Sequence, residues 1–417
     1  MSRRAAVPKA LQFEWNLLVL ITVAFVLFGL IMVYSATSGS AALGGSNPTG
    51  YLERQGLYAL VGTILAIAAA RSDFRKLRHL APSLVLTALF LCLAVLAIGE
   101  RINGARRWIG AGSLQLQPSE LAKLALVIWT AAYLARTPAP RTLKELARPV
   151  GALVGLFCIL VLAEPDLGTA ITIVVMVGAM LLVSGTPIPT LASGYAIVFG
   201  LAAAATWASP YRKARLLTFL DPWKDPLGAG LQNVQALISL GSGGVFGRGL
   251  GQGIEKLHYL PEAHTDMIFA VVGEELGLVG VTVLVVGYCA FAYAGLRLAL
   301  SCKDPFGKRL AAGITALVTG QAAINIAAVV GLAPLTGIPL PFVSYGGSSL
   351  VVTLACVGIL LNIARNGATV AAEVPDRSRR DGRPRRARAG GGGGAARPRS
   401  ERDVRRVAGS RRSAARP

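Results

Sequence analysis

The sequence predicts an all-α polytopic membrane protein with about ten transmembrane helices, one long extracytoplasmic loop, and cytoplasmic N- and C-termini. Three observations predict this fold class. Hydrophobic residues make up 53% of the 417 residues and charged residues only 15%. The apolar residues gather in runs of roughly 15 to 30, longer than a soluble core of this size needs. Basic residues concentrate between alternate runs, as in membrane proteins of fixed orientation.

Ten apolar segments are each near the length that a hydrocarbon core of about 30 Å requires. They lie at about 16–35, 57–70, 80–98, 119–135, 149–163, 167–184, 189–207, 267–297, 310–332 and 348–364. The second and fifth segments are short, so the number is approximate. The first segment follows Arg3, Arg4 and Lys9, as the apolar part of a signal peptide would. It extends from about Leu17 to Tyr34, which favours a retained span.

The positive-inside rule predicts which loops face the cytoplasm. Three clusters of basic residues mark these inner loops: Arg71, Arg75, Lys76 and Arg78; Arg136, Arg141, Lys144 and Arg148; and Arg297, Lys303, Lys308 and Arg309. The loops at about 35–56, 99–118, 208–266 and 333–347 then lie outside. The predicted organisation is a cytoplasmic N-terminus at 1–15, a multi-pass domain of the cytoplasmic membrane at 16–366, and a tail at 367–417.

The tail explains much of the net charge of +21, because residues 365–417 hold 16 basic and 5 acidic residues. The excess charge therefore does not indicate nucleic-acid binding. From Pro375 onward Arg, Pro, Ser and Gly dominate, with five glycines at 390–394, and this composition predicts disorder. Such a tail either rests on the anionic inner leaflet or recruits an acidic cytoplasmic protein.

The cysteines and histidines give no sign of a metal site. There are five cysteines, an odd number, without C-x-x-C spacing, and only three histidines. The sequence therefore predicts neither a disulfide framework nor a site built from thiolate or imidazole ligands.

The stretch YLPEAHTDMIFAVVGEELG, residues 259–277, sets ionisable groups against one of the longest apolar runs. We expect Thr265 to cap the following helix, which places Asp266 in its first turn, where the helix dipole favours an ionised carboxylate. Asp266 is then either a general base at the membrane surface or an ordinary first-turn residue. His264 alone is a weak ligand candidate, and Glu262 precedes it. Glu274 and Glu275 are the least explained and are expected to hydrogen-bond between helices.

Cations in the second outer loop lie on the side where the positive-inside rule predicts few. Arg106 and Arg107 occur in NGARRWI, and Lys123 follows in QPSELAKL, three residues after Glu120. These cations suit an anionic ligand such as a diphosphate, with Glu120 orienting Lys123. The alternative is a local pair between Glu120 and Lys123, with the arginines reaching lipid headgroups.

Three further outer segments carry weaker signals. In LAEPDLGTA, Glu164 and Asp166 lie at the mouth of two spans, and Asp166 either caps the sixth helix or has a functional role. The glycine-rich run at 241–253 follows no strand, so it is not interpreted as a nucleotide-binding loop. The run PLTGIPLPFVSYGGSSL, residues 334–350, predicts a rigid non-helical loop. Gln321 and Asn325, four residues apart before it, are typical of interhelical hydrogen bonding.

In this order, the motifs NGARRWI, QPSELAKL, EPDLGTA, KLHYLPEAHTDMIFAVVGEELG and GIPLPFVSYGGSS closely resemble the SEDS family (shape, elongation, division and sporulation) over roughly residues 15–367. The segments GQGIEKLHYLPEAHTD and PLTGIPLP resemble the division branch more than the elongation branch. The resemblance implies a ten-helix peptidoglycan glycosyltransferase that polymerises lipid II outside the cytoplasmic membrane at the division septum. It also implies a penicillin-binding transpeptidase as partner, and it makes an acidic cytoplasmic division protein the candidate partner of the basic tail.

The resemblance further implies a site. Asp266 matches the aspartate that members of the family need for polymerisation, and it is the predicted catalytic base. The predicted substrate-binding residues are Arg106, Arg107, Trp108, Glu120, Lys123, Asp166, Glu262 and His264. No protein-bound metal is predicted, although a divalent cation could accompany the diphosphate.

Two alternatives come from other classes of protein. A lipid II flippase also places polar residues within and around membrane helices, and composition does not separate it from a polymerase. A noncatalytic scaffold that recruits the transpeptidase is the other. Lipid II supplied on one defined face of a liposome separates the enzyme from the flippase, and continued division after Asp266→Asn would favour the scaffold.

Overall fold

The computed structural model describes residues 7–42, 48–102, 105–111, 114–207, 210–254 and 260–367. The expectations for residues 1–6 and for the basic tail at 368–417 lie outside the described residues. The helices are α1 Gln12–Ala42, α2 Pro48–Arg71, α3 Leu77–Ile98, α4 Pro118–Arg136, α5 Leu143–Leu146, α6 Ala152–Ala163, α7 Leu167–Val183, α8 Ile188–Trp207, α9 Pro210–Leu220, α10 Leu231–Ser242, α11 Ile268–Ser301, α12 Pro305–Val329 and α13 Gly347–Asn366.

Each predicted apolar segment coincides with a helix, so the prediction of a helical polytopic membrane protein is confirmed. Six helical segments of the described chain are long and apolar enough to cross a membrane, namely Lys9–Ser38, Phe74–Ile98, Leu143–Ala163, Ile268–Ser301, Pro305–Val329 and Gly347–Asn366. Two shorter apolar helices lie at Leu167–Val183 and Ile188–Ala204. The total of ten spans stays a prediction.

Helix α12 lies at the centre of the bundle, where it packs against α4, α7 and α11. Around this centre, α1 packs against α11, α3 against α4, and α2 runs along α13. The α2–α13 contact depends on small residues, because a Cβ at Gly358 would strike the backbone of Ala66 and one at Gly62 would strike Leu354. Close approach of backbones at small residues is how membrane helices gain packing energy without a hydrophobic driving force.

The predicted outer loop at 99–118 contains a small antiparallel sheet that the sequence analysis did not predict. Its strands are β1 Glu100–Ile102, β2 Ala105–Ala111 and β3 Leu114–Leu116, in the order β1-β2-β3. Successive side chains of a strand point to opposite faces. The two neighbouring arginines of β2 therefore diverge, which decides what each one contacts.

Helix α11 is broken at Gly277, which has φ 66° and ψ −161°. A straight helix of these 34 residues would be longer than a hydrocarbon core of about 30 Å is thick, and the break interrupts it. The glycine-rich loop after α10 closes on it, because Arg248 N donates to Glu274 O at 3.0 Å and Leu278 N donates to Gly244 O at 2.9 Å. A Cβ at Gly277 would meet the backbone of that loop. Only glycine suits both the backbone conformation and the contact.

Glu274 and Glu275 are fully buried and hold this loop in place. Ile254 N donates to Glu274 Oε1 at 2.7 Å, and Gly251 N donates to Glu275 Oε2 at 3.1 Å. Glu275 also accepts from the hydroxyl of Ser35 on α1 at 2.7 Å. Ser239 on α10 donates to Glu274 Oε2 at 3.4 Å. The expectation of hydrogen bonds between helices is thus confirmed for both carboxylates, which also organise the glycine-rich run.

Candidate active site

The non-helical 333–346 loop between α12 and α13 is held by amide side chains of α12. Gln321 Nε2 donates to Pro339 O at 2.9 Å, and Asn325 Nδ2 donates to Ile338 O at 2.9 Å. The same Asn325 amide donates to the backbone oxygen of Asp266 at 2.8 Å. Asn325 therefore fastens two non-helical segments to each other and sets the position of Asp266. Gln321 forms the predicted interhelical hydrogen bond, because its Oε1 accepts from Lys123 Nζ on α4.

Asp266 is half-buried in a turn directly before α11. The expectation that Thr265 caps this helix is wrong, because α11 begins at Ile268 with Met267 at the N-cap position and without a side-chain cap. The hydroxyl of Thr265 is used locally instead: it donates to the carboxylate of Glu262 at 2.9 Å and lies 3.3 Å from Asp266 Oδ1. Asp266 still lies at the positive end of the helix dipole, which favours its ionised form.

Arg107 reaches Asp266 from β2. Its Nε donates to the backbone oxygen of Glu164 at 3.0 Å, and its Nη2 donates to that of Pro165. The remaining nitrogen, Nη1, lies 3.8 Å from the place that a Cβ would take on Gly337, and Asp266 Oδ2 lies 4.0 Å from the same place. A cation and a carboxylate thus both lie beside one glycine, where a larger residue would contact them.

Arg106 points away from this pair, as the alternation of the strand requires. Its Nη1 donates to Leu96 O at 3.1 Å and to Ala97 O at 3.2 Å, the last carbonyl groups of α3. Trp108 follows on β2, half-buried and paired in register with Glu100. The predicted cluster of two arginines on one ligand is therefore not formed here, because only Arg107 faces Asp266.

Lys123 and Glu120 form a buried pair on α4, with exposures of 1% and 3%. Lys123 Nζ lies 2.8 Å from Glu120 Oε1 and 2.8 Å from Gln321 Oε1. Glu120 therefore orients Lys123, as expected. The ammonium group does not face the space beside Gly337, which differs from its predicted direct contact with a diphosphate. In this conformation Lys123 supports the 333–346 loop through Gln321.

Asp166 is the N-cap residue of α7 and accepts from Thr169 N at 3.0 Å. Its second oxygen accepts from Gln117 Nε2, just before α4, at 3.3 Å. The capping alternative is thus confirmed, and Asp166 also ties the starts of α4 and α7 together. The neighbouring Gly168 packs against Thr336 and Ile338 of the loop, where a Cβ would not fit.

His264 lies in an aromatic cluster at the edge of the site. Its ring centroid is 4.8 Å from that of Tyr51 and 5.6 Å from that of Tyr345, and its backbone oxygen accepts from Tyr345 N at 2.9 Å. Burial lowers the pKa of His264, and the nearby Glu262 carboxylate opposes that shift. The neutral imidazole therefore prevails at neutral pH, so His264 adds no positive charge for an anion.

An apolar groove of about 280 Å³ leads to this site between α7 and α12. It is lined by Leu167, Ile171, Ala323, Ile324, Ala327, Ala333, Pro334 and Thr336. Ile171 and Ala323 are exposed on the outside of the bundle, so the groove opens towards the surrounding lipid. One lining residue, Thr336, directly precedes Gly337, so the groove borders the loop that carries this glycine.

A family model described as "Cell cycle protein", which covers FtsW, RodA and SpoVE, matches residues 15–369. The chain belongs to the FtsW/RodA/SpoVE family. This match confirms the SEDS resemblance that the motifs indicated.

Relatives and solved structures of this family agree with that assignment. The chain is 41% identical to a probable peptidoglycan glycosyltransferase FtsW of Geobacter metallireducens, over 83% of this chain and 93% of the relative. It is 38% identical to the stage V sporulation protein E of Bacillus subtilis, over 84% and 96%. A chain from a peptidoglycan synthase complex that coordinates polymerization and crosslinking matches with a TM-score of 0.71 and 35% identity, over 84% and 97%. The rod shape determining protein RodA of Thermus thermophilus matches with a TM-score of 0.61 and 31% identity, over 84% and 96%.

Some residues of the site were not singled out as functional by the sequence. Gln321 and Asn325 were recognised as polar residues in an apolar helix, but their acceptors lie in segments distant along the chain. Gly337 stood in a proline-rich loop, where a glycine is ordinary. Its place beside both Arg107 and Asp266 follows only from the fold.

The buried pair gives a prediction about stability. Lys123→Met leaves the Glu120 carboxylate buried without its cation, which should cost about 3–5 kcal/mol. The double variant Lys123→Met with Glu120→Gln should recover most of that loss. Thermal unfolding of the purified protein in detergent measures both, with Lys144→Met at an exposed position as the matched control. Equal stability of the single variant and the wild type would contradict the prediction.

Proposed function

We propose that the protein is a peptidoglycan glycosyltransferase that polymerises lipid II at the outer face of the cytoplasmic membrane during cell division. The observation that carries the proposal is the pairing of Asp266 and Arg107 across Gly337, at the head of an apolar groove. A lipid-linked sugar diphosphate needs these three features: a base, a cation and an apolar channel. The names of the relatives support the same reaction.

Asp266 acts as the general base. Its carboxylate takes the proton from the 4-hydroxyl of the acceptor GlcNAc as that oxygen attacks the anomeric carbon of the donor. The bond from the anomeric carbon to the diphosphate breaks, and the α-linked donor becomes a β-linked glycan. Asn325 holds the backbone of Asp266 at 2.8 Å, so the base does not depend on a mobile turn for its position.

Arg107 stabilises the departing undecaprenyl diphosphate. Two of its nitrogens are fixed by backbone oxygens of the α6–α7 turn, and Nη1 remains directed at the space beside Gly337. A hydrogen-bond donor that is already oriented stabilises the charge that develops on the diphosphate without having to reorganise. Such preorganisation is the main source of electrostatic catalysis. Because the diphosphate leaves as a stable anion, the site needs no second acid.

The groove between α7 and α12 holds the part of the polyprenyl chain nearest the diphosphate. Its volume of about 280 Å³ is too small for a chain of 55 carbons. At the lower end of small-molecule pockets, roughly 300 Å³, it suits a few isoprene units, and the rest of the chain stays in the bilayer. The substrate then approaches sideways from the outer leaflet, which suits a molecule that does not leave the membrane.

A divalent cation remains a proposal. The carboxylates of Asp266 and Glu262 both lie within reach of the Thr265 hydroxyl and are oxygen ligands of the kind that Mg²⁺ accepts alongside substrate phosphates. Such a cation would add positive charge to the leaving diphosphate. In the described chain, no group of three or more His, Cys, Asp or Glu side chains gathers as a metal site.

A penicillin-binding transpeptidase is the proposed partner, and the septum of the cytoplasmic membrane is the proposed location. The synthase complex among the structural neighbours, described as coordinating polymerization and crosslinking, supports a crosslinking partner. Purified protein with and without its cognate transpeptidase tests whether the partner changes the rate of polymerisation.

Asp266→Asn should keep folding and insertion but reduce glycan synthesis by about 100-fold or more, the usual contribution of a positioned base. Asp221→Asn, an exposed position of the same outer loop, is the matched control and should leave synthesis unchanged. Gel analysis of lipid II polymerisation in liposomes measures both. If the Asp266→Asn protein inserts correctly and makes normal amounts of glycan, Asp266 is not the general base. Translocation of lipid II without any polymer would favour the flippase.

The two arginines of β2 should respond differently to replacement by alanine. Arg107→Ala should lower turnover by about 100-fold, because the leaving group loses its oriented cation. Arg107→Lys should restore only part of it, since an ammonium group lacks the planar fork. Arg106→Ala should leave turnover close to normal and destabilise the protein by about 1 kcal/mol, as for a cation at a helix C-terminus. Steady-state kinetics and thermal unfolding separate the two effects, and the reverse pattern would place the diphosphate at Arg106.

Ala323→Trp should fill the groove and raise the KM for full-length lipid II by about 10-fold or more. Each methylene group of the prenyl chain that is no longer buried should weaken binding roughly fourfold. The effect should shrink for lipid II analogues with a very short prenyl chain. Ala202→Trp, also exposed but on α8, is the matched control. A series of chain lengths compared between the two variants gives the measurement, and parallel losses at every length would count against the groove.

A further inference from the structure

Glu164, in the turn between α6 and α7, is fully buried. Within the described chain, neither of its carboxyl oxygens receives a hydrogen bond from a nitrogen or oxygen donor. Other buried acids are satisfied: Asp166 by Thr169, and Glu120 by Lys123. A carboxylate left in this state would carry a large desolvation penalty, so the burial of Glu164 requires an explanation.

Three ionisable groups face the Glu164 carboxyl group. They are Cys92 on α3, Asp166 in the same turn and Arg107 on β2. Arg107 does not neutralise it by direct pairing, since in this turn its guanidinium group donates to the backbone oxygens of residues 164 and 165. Burial, and to a lesser extent the Asp166 carboxylate, raise the pKa of Glu164 to about 8, against the opposing effects of Arg107 and the Cys92 thiol. Glu164 is therefore mainly a neutral acid at pH 7.

The neutral state of Glu164 matters for Arg107. A guanidinium group bonds a carboxylate more strongly than it bonds a carbonyl group. An ionised Glu164 would compete for the two nitrogens that now hold the backbone oxygens of the turn. The fork of Arg107 would turn towards it, and Nη1 would leave its place beside Gly337, where Asp266 lies opposite.

We propose that Glu164 is a positioning residue for Arg107 and that it acts in its protonated form. This inference rests on the proposed glycosyltransferase function, since turnover is one of its readouts. It makes Glu164 a residue that contacts no substrate and keeps the cation of the site available for the diphosphate. It also sets an alkaline limit to activity that belongs to the protein and not to lipid II.

The direction of the pH effect follows from the raised pKa. The protonated, active form is fully present well below pH 8 and is lost as the pH rises through about 8. Above that value turnover of the wild type should fall by up to about tenfold per pH unit, as for any single essential proton. Glutamine has nearly the same shape and no proton to lose, so Glu164→Gln should keep turnover at pH 7 within about twofold and extend the plateau to higher pH.

The experiment compares the kcat of lipid II polymerisation from pH 6 to pH 10 for the wild type, Glu164→Gln and the matched control Glu53→Gln, whose side chain is exposed on α2. Of the two variants, only Glu164→Gln should move the alkaline fall of kcat to higher pH. The proposal is overturned if the wild type and Glu164→Gln fall together above pH 8. It is also overturned if Glu164→Gln is inserted normally but loses tenfold or more of its turnover at pH 7.

An infrared titration makes the test independent of catalysis. The carbonyl band of a protonated carboxyl group should be present in the wild type at pH 7, be missing in Glu164→Gln, and disappear with a midpoint near 8. A midpoint below 6 would overturn the proposal, and the wild-type titration alone decides this if Glu164→Gln does not accumulate. If the wild type makes no glycan at any pH but shows the band, the proposed function fails while Glu164 remains a protonated acid.

Discussion

The hydrogen bonds that α12 gives to the 333–346 loop are the interaction on which the outer end of the protein depends. Non-helical backbone at membrane depth is tolerated only where protein or water satisfies its polar groups. Gln321 and Asn325 supply two of the donors, to Pro339 and Ile338. Because Asn325 also bonds the Asp266 backbone, the requirement to satisfy a buried loop and the requirement to place a base are met by one side chain.

The charged groups of this end divide into two layers. Glu120 and Lys123 are paired below the loop, where an unpaired charge would be costly, and they contribute support. Above them, Asp266 and Arg107 are both half-buried beside Gly337. A catalytic site at a membrane surface needs both layers, since the lower one fixes geometry and the upper one supplies the charges that react.

Much of the fold followed from hydrophobic run lengths and basic loops, because membrane crossing imposes length and composition directly. The three-stranded sheet could not be predicted, since its short strands show no strong alternation of apolar and polar residues. Because the sheet was not predicted, Arg106 and Arg107 were treated as one cluster. Thr265 was assigned as a cap from residue type alone, but its hydroxyl has nearer acceptors in Glu262. Asp266 was a candidate base because it precedes a long apolar helix, and the motif resemblance then favoured that role over an ordinary helix-start residue. Its partner across Gly337 required the fold, because no local pattern joins segments so distant along the chain.

The grip on Arg107 has a consequence for how this site tolerates change over evolutionary time. Its two acceptors are the backbone oxygens of residues 164 and 165, and every amino acid supplies a backbone oxygen. Point mutations at these positions cannot delete the acceptors, whereas carboxylate acceptors would be lost by a single codon change. Carbonyl groups are also formally neutral, so the arginine keeps its full charge. A resistance mutation against a compound anchored on this cation would have to alter Arg107 itself, and would thereby damage the enzyme it was meant to protect.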